Sequence, residues 1–274
     1  MKHAAWILLI GSLMAAGSRA QEAPAVDPVH LTLDTVLDIY VRDGLVYYQA
    51  LRQERARFDR YVSSLAQADV ERWEPKRRLA FWINAYNAFV LRTVIDHYPI
   101  RGRSSLYPRN SIRQVPGAFE KRPFRAAGRT VTLDQIEKDI IVPMGDPRAL
   151  LALGRGAVGG GRLRSEAYDA DRLDGQLDSV VREAVDRREI VFVDAANGVL
   201  SVSPLFSWRE QAFVDAFAVR AAGDFANRSP LERAVLGLIG PNVVRSEESF
   251  LKGNAFKMAF HDFDWGLNDL TNRR

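Results

Sequence analysis

Apolar positions in the first ordered stretch recur at helical spacing: Leu33, Val36, Leu37 and Tyr40 share one face of a helix over 31–41, closed by Gly44. Leu45–Tyr48 reads as a short extended piece, and 51–65 as a second, strongly charged amphipathic helix. The longest helical pattern opens at Pro75, runs from Lys76 to His97, and stops before Pro99. Between Leu79 and Val94 it is apolar on nearly every side, which predicts a helix buried in the middle of a domain.

The remaining pattern is more broken. Residues 101–129 carry scattered Gly and Pro with no sustained period and read as a long loop, a candidate functional surface. Thr130-Val131 reads as a short strand, and Thr132 with Gln135 as a capping box opening a helix to about Ile141. Ala149–Leu153 is short and apolar enough for a strand. Helices are predicted over 173–187, 208–219 and 230–238, the last opened by Ser229-Pro230-Leu231-Glu232. Ile190–Val193 and Val199–Val202 flank Asn197-Gly198, the strongest hairpin signal in the chain. Helices dominate without regular strand–helix alternation. The expected fold is α+β: one predominantly helical domain over 31–270, built around the buried helix, with a few short strands including one hairpin.

The N-terminus predicts export. Met1-Lys2-His3 is a short basic start, the run from Ala4 to about Ala16 is apolar, and Ser18-Arg19-Ala20 places small residues at −3 and −1 of a cut before Gln21. That run falls short of the ~20 residues of a comfortable membrane span. Residues 1–20 are therefore expected to be a cleaved signal peptide and 21–30 a mobile leader, leaving a periplasmic or secreted protein that is not an integral membrane protein. Cleavage removes Lys2 and Arg19 and no acid, so the net charge falls from +4 to +2.

Composition narrows the chemistry. The chain has no cysteine among its 274 residues, which excludes disulfides, thiolate metal sites and any cysteine nucleophile. Four histidines make a histidine-rich metal cage an unpromising reading. Between Arg101 and Arg129, eight basic residues face one acid, Glu120. Such a segment either attracts an anionic partner or is a solvated connection. For an exported chain the anionic partner is an envelope component rather than nucleic acid.

Three groups of residues are candidates for chemistry. Asn84 and Asn87 lie three apart in Phe81-Trp82-Ile83-Asn84-Ala85-Tyr86-Asn87-Ala88-Phe89 and share a face of an apolar helix. Burying an unpaired amide costs at least ~1–3 kcal/mol, so each needs a fixed partner: a neighbouring loop or a ligand. Gly154-Arg155-Gly156-Ala157-Val158-Gly159 is formally G-x-G-x-x-G, but Gly160-Gly161 prolongs the glycine run where a helix should pack. It is read as a flexible loop, and no cofactor is expected. Among acids, Glu137 on the short helix after the basic segment is the candidate general acid/base. Asp262, Asp264 and Asn268 alternate somewhat like an ion-binding loop but lack calcium-loop spacing and its terminal glutamate, so no metal is expected.

Several motifs together resemble an uncharacterised family, domain of unknown function 547. Ala80–Ala88 with its two asparagines resembles the family's signature, Val41–Tyr48 its opening segment, and Thr132–Glu137 the start of one of its helices. Asp146-Pro147-Arg148 resembles the run before its central loop. Leu163–Tyr168 with Leu173, Gln176 and Leu177 resembles the segment beyond that loop, and Phe263–Asn268 the family's C-terminal motif. The resemblance spans roughly residues 35–268. Family members usually carry a histidine after the Asp-Pro-Arg run and two cysteines in a C-x4-C-P loop. The matching positions here hold Leu150, Arg155, Gly160 and Gly161. If those family residues serve a thiol reaction, this chain has lost the nucleophile; if they form a disulfide or packing feature, glycine has replaced it.

The expected function is therefore binding in the cell envelope without thiol chemistry. Asn84, Tyr86, Asn87, Arg148, Asp264, Trp265 and Asn268 are the candidate binding residues, with 101–129 as the anionic contact. The alternatives are an acid/base hydrolase or transferase acting on an envelope polymer through Glu137, and an assembly module whose polar motif is architectural.

Overall fold

In the computed structural model, which describes residues 26–272, the long apolar pattern is one helix, Pro75–His97. Pro75 occupies its first turn, where its missing N–H has no intrahelical partner to lose. Every residue from Leu79 to Leu91 is buried, so the helix is covered on all sides. Phe81 and Phe89 are fully buried, worth about 1.5–3 kcal/mol each. Phe81 meets Trp73 and Trp82 edge to face, and Phe89 stacks on Phe124 at 4.4 Å.

Leu31–Tyr40 buries Leu33, Val36, Leu37 and Tyr40, the face its spacing predicts. It ends sooner than Gly44 suggests: Val41-Arg42 pairs with Leu45-Val46 across a turn in which Asp43 and Gly44 both have positive φ. The charged helix expected over 51–65 is two helices, Tyr48–Gln53 and Ala56–Ser64, broken at Glu54-Arg55. From Ala56–Ser64, Asp59 meets Arg55 and Arg92, while Asp96 near the end of the central helix takes Arg55, Arg92 and Arg122.

Both capping boxes form, Thr132 with Gln135 and Ser229 with Glu232. The helix begun at Leu133 continues as a π-helical turn over Ile136–Ile141. Leu173–Val185 and Pro230–Ile239 lie close to prediction, whereas the 208–219 segment is divided into Leu205–Trp208 and Glu210–Phe217. Ala149–Leu153 is not a strand: Arg148–Leu151 is a short helix and the chain then turns into the glycine run.

The hairpin signalled by Asn197-Gly198 forms between Val191–Asp194 and Val199–Val202, with Val191 opposite Val202. Lys257–Phe260 adds a third strand, parallel to Val199–Val202, after a helix at Arg245–Lys252 that the pattern did not signal. A third small hairpin pairs Phe124–Ala126 with Arg129–Val131. The fold is α+β and predominantly helical, as expected. Among the described residues no helix is long and apolar enough to cross a membrane. The signal peptide and its cut after Ala20 lie outside the described residues. Within the segment expected to be a mobile leader, residues from Asp27 onward are docked. The Asp27 N–H donates to Asp169 Oδ2 at 2.8 Å, Arg77 pairs with the Asp27 carboxylate, and His30 is buried against Tyr61.

Candidate functional site

The two asparagines of the central helix bind backbone. Asn84 Nδ2 donates to the Tyr168 carbonyl at 2.8 Å, and its Oδ1 accepts the Tyr168 N–H at 2.9 Å. Asn87 does the same to the next loop: Nδ2 donates to the Ala152 carbonyl at 3.1 Å, and Oδ1 accepts the Gly154 N–H at 2.9 Å. Each amide thus stands in for a strand that the buried loop lacks. Near the C-terminus Asn268 plays a similar part, accepting from Tyr48 Oη at 2.7 Å and donating to the Gly44 carbonyl at 2.9 Å.

The glycine run is not a loose loop. Residues Gly154–Gly161 are buried except Val158, and the Cβ vectors explain why glycine is required. A Cβ on Gly160 would lie 2.2 Å from the Gly154 oxygen, and one on Gly161 would lie 2.0 Å from the Leu151 oxygen. The outer edge of the turn binds the tail: the Val158 N–H donates to the Gly266 carbonyl at 2.8 Å and the Gly159 N–H to the Asp264 carbonyl at 2.9 Å. Asp264 itself is exposed, and its carboxylate closes a local turn by accepting the Gly266 N–H.

Within the turn, Arg155 adopts a left-handed backbone (φ +51°) that carries its side chain inward. Only 3% of that side chain is exposed. It donates to the Leu150 and Leu153 carbonyls at 3.0 and 3.1 Å and to Glu137 Oε2 at 2.8 Å. The other Glu137 oxygen is 3.0 Å from Arg209 Nη2. An acid/base role calls for a carboxyl facing an open cleft. Glu137, 7% exposed, instead has both oxygens held by guanidinium groups. Tyr86, also buried, lies under the influence of the same charges; burial pushes its phenol above the ordinary range, and Oη has no hydrogen-bond partner among the described residues.

Above this centre lies a half-exposed aromatic cluster. Trp265 is 4.4 Å from Phe263, 5.9 Å from Phe119 and 6.0 Å from both Tyr107 and Trp208, ring centre to ring centre. Arg113 lies over Trp265 at 4.6 Å and over Phe119 at 4.5 Å, distances at which a cation is attracted to the ring face. Arg155 sits 5.7 Å from the Trp208 ring and links the buried ion pair to the cluster. Tyr107 is held in place because Gln114 Nε2 gathers the Ser104, Tyr107 and Pro108 carbonyls.

The candidate residues therefore separate. Asn84 and Asn87 hold backbone, Asn268 ties Tyr48 to the Gly44 carbonyl, Tyr86 and Glu137 belong to the buried centre, and Trp265 is the middle of the half-exposed cluster. Arg148 lies elsewhere, in a surface network with Asp146, Asp174 and Asp178; its bond to Asp146 leads the interactions that raise its pKa. Sequence reasoning missed Arg155, Arg209 and Trp208 as site residues, whereas Arg113 and Phe119 lie in the basic segment it marked as a candidate surface. The one available signal was an arginine inside a glycine run, a place where a solvated charge is the default reading.

A family model described as "Protein of unknown function, DUF547" matches residues 70–183, which include the central helix, the basic segment, Glu137 and the glycine turn. No curated protein and no solved structure matches the chain. Residues 70–183 are thus similar to domain of unknown function 547.

Proposed function

We propose that the chain is exported by cleavage after Ala20 and acts in the cell envelope as a binding domain without thiol chemistry. Its face is where the basic segment meets the aromatic cluster, and its partner is an acidic glycan. The observation that carries this reading is that the segment bringing Tyr107 and Arg113 to Trp265 also carries a surplus of unpaired cations. Arg101, Arg103, Arg109, Lys121 and Arg125 are exposed and have no carboxylate partner among the described residues, whereas Arg113, Arg122 and Arg129 are paired. Aromatic rings such as Trp265 and Tyr107 offer flat apolar surface to a sugar ring, and guanidinium groups take carboxylate or phosphate through paired hydrogen bonds.

The test is isothermal titration of the Gln21–Arg274 chain with muropeptides, acidic and neutral envelope glycans, and anionic vesicles. Saturable binding of an acidic glycan that weakens with salt and is lost in Trp265→Ala and in Arg101→Ala/Arg103→Ala/Arg109→Ala supports the reading. Binding to vesicles alone, or to nothing in the panel, overturns it. Export is tested separately: the protein recovered from the envelope fraction should begin at Gln21 by N-terminal sequencing.

A further inference from the structure

A second cleft shares no residue with that face. It has a volume of about 530 Å³ and is lined by the Gly145–Arg148 corner, the outer side of helix Leu173–Val185, the end of helix Glu210–Phe217 and the turn at Pro241-Asn242. That volume lies within the range of small-molecule sites.

Three arginines line it, and their partners differ. Arg148 is saturated: Asp146 takes it in two-pronged fashion, Asp178 lies at 2.6 Å and Asp174 at 3.2 Å. Among the described residues Arg182 donates only to Ser179 Oγ, at 2.7 Å. Arg220 lies 4.7 Å over the Phe217 ring. Neither Arg182 nor Arg220 has a carboxylate partner among the described residues, although Asp178 and Asp146 stand in the same lining. The acids are committed to Arg148, so among the described residues the cleft carries two guanidinium groups without a carboxylate partner. Ala216 and Pro241 supply accessible apolar lining, with Phe217 and Leu238 nearly covered beneath at 3% and 4% exposure, and Asn242 adds an amide at the rim.

We propose that this cleft binds a small oxyanion, carboxylate or phosphate, carried on a compact apolar body. Arg182 and Arg220 engage the anion, since a guanidinium presents two parallel N–H groups at the spacing of two carboxylate or phosphate oxygens. The body rests against Ala216 and Pro241. Arg148 does not contact the anion; its ties to Asp146, Asp174 and Asp178 hold those carboxylates away from the other two arginines.

The experiment is a thermal-shift and calorimetric titration with phenyl phosphate and phenylacetate as probes, and inorganic phosphate and benzyl alcohol as controls. At a hundredfold excess over Kd, a probe that binds the native state raises Tm by about 5 °C for a chain of this size. One-to-one binding of either aromatic anion, with weaker binding of inorganic phosphate and none of benzyl alcohol, is the expected result. Preference for one probe distinguishes a phosphate from a carboxylate ligand. Arg182→Gln and Arg220→Gln should each weaken binding about tenfold and leave the melting point of the free protein unchanged, because both side chains are exposed. Trp265→Ala should leave this binding intact, which separates it from the glycan face. No saturable binding of either anion, or binding retained in the Arg182→Gln/Arg220→Gln double variant, overturns the proposal.

Discussion

Asn87→Ala removes both halves of one backbone clamp and nothing else of substance. The Gly154 N–H and the Ala152 carbonyl each lose a partner, in a part of the chain where Asn87 is only 4% exposed. Leaving a buried backbone group unsatisfied costs about 1–3 kcal/mol, so the pair together costs about 2–6 kcal/mol. That is a large share of the roughly 5–15 kcal/mol by which a domain is stable. Urea unfolding monitored by far-UV circular dichroism should show a lower midpoint with an unchanged slope, and the melting point should fall by about 10 °C. Asn87→Asp is the discriminating companion. It keeps the acceptor for Gly154 and loses the donor to Ala152, so it should be destabilised at pH 7 and partly recover near pH 4, where the protonated carboxyl regains an O–H. If Asn87→Ala lies within about 0.5 kcal/mol of the parent, the clamp is not formed and the central helix is held by apolar packing alone. Glycan binding retained by folded Asn87→Asp is the expected companion result, because the amide faces backbone and not the aromatic face.

Other expectations rest on single features of the same centre. Arg155→Met should cost about 3–5 kcal/mol, since it strips one partner from buried Glu137, and adding Glu137→Gln should recover part of the loss in a double-mutant cycle by urea unfolding. Gly161→Ala drives a Cβ into the Leu151 carbonyl and should cost about 3 kcal/mol or more. Gly175→Ala, in a helix with open space around the site, should stabilise by about 0.5–1 kcal/mol, and equal effects at the two glycines would sink the packing argument. Burial holds the His30 imidazole down at about pKa 4 from an ordinary 6.5. The unfolded chain therefore binds the extra proton between these values. Stability contributed by neutral His30 is full above pH 6.5 and lost as pH falls towards 4, about 3 kcal/mol in all, and His30→Gln should flatten that part of the stability–pH curve.

How far the sequence spoke for the fold depended on the range of the deciding interaction. The central helix was legible because Pro75, the all-round apolar pattern and Pro99 are local signals. So were the two capping boxes and the Asn-Gly hairpin. Lys257–Phe260 was not, because it becomes a strand only by lying parallel to Val199–Val202, some 58 residues back along the chain. Ala149–Leu153 misled because a short apolar run has the same composition as a strand or a buried helix, and the period is undefined over five residues. At the site, two amides in an apolar helix announced that partners must exist, while their backbone targets at Ala152, Gly154 and Tyr168 come from loops 65 or more residues away.

The glycine turn joins the buried centre to the exposed face. Asn87 holds one end of it through Gly154, the tail pairs with its outer edge through Asp264 and Gly266, and Arg155 runs from it to Glu137. Arg155 stands where the resembled family carries its first cysteine, and Gly160 and Gly161 stand where the second cysteine and the proline would be. With this backbone no side chain fits at either glycine, because carbonyl oxygens already occupy the space a Cβ needs. The turn is therefore arranged around an ion pair and a seated tail, an arrangement into which a thiol pair could not be reintroduced by substitution alone. The buried Arg155 guanidinium also lies near Trp208, which stacks on Trp265. A charge fixed by Glu137 below and facing an aromatic ring above restrains that ring, and Trp208 restrains Trp265 in turn. Rigid rings lose little freedom when a ligand stacks on them. On the reading proposed above, the Arg155–Glu137 pair at this position supports the proposed face by holding Trp208 and, through it, Trp265.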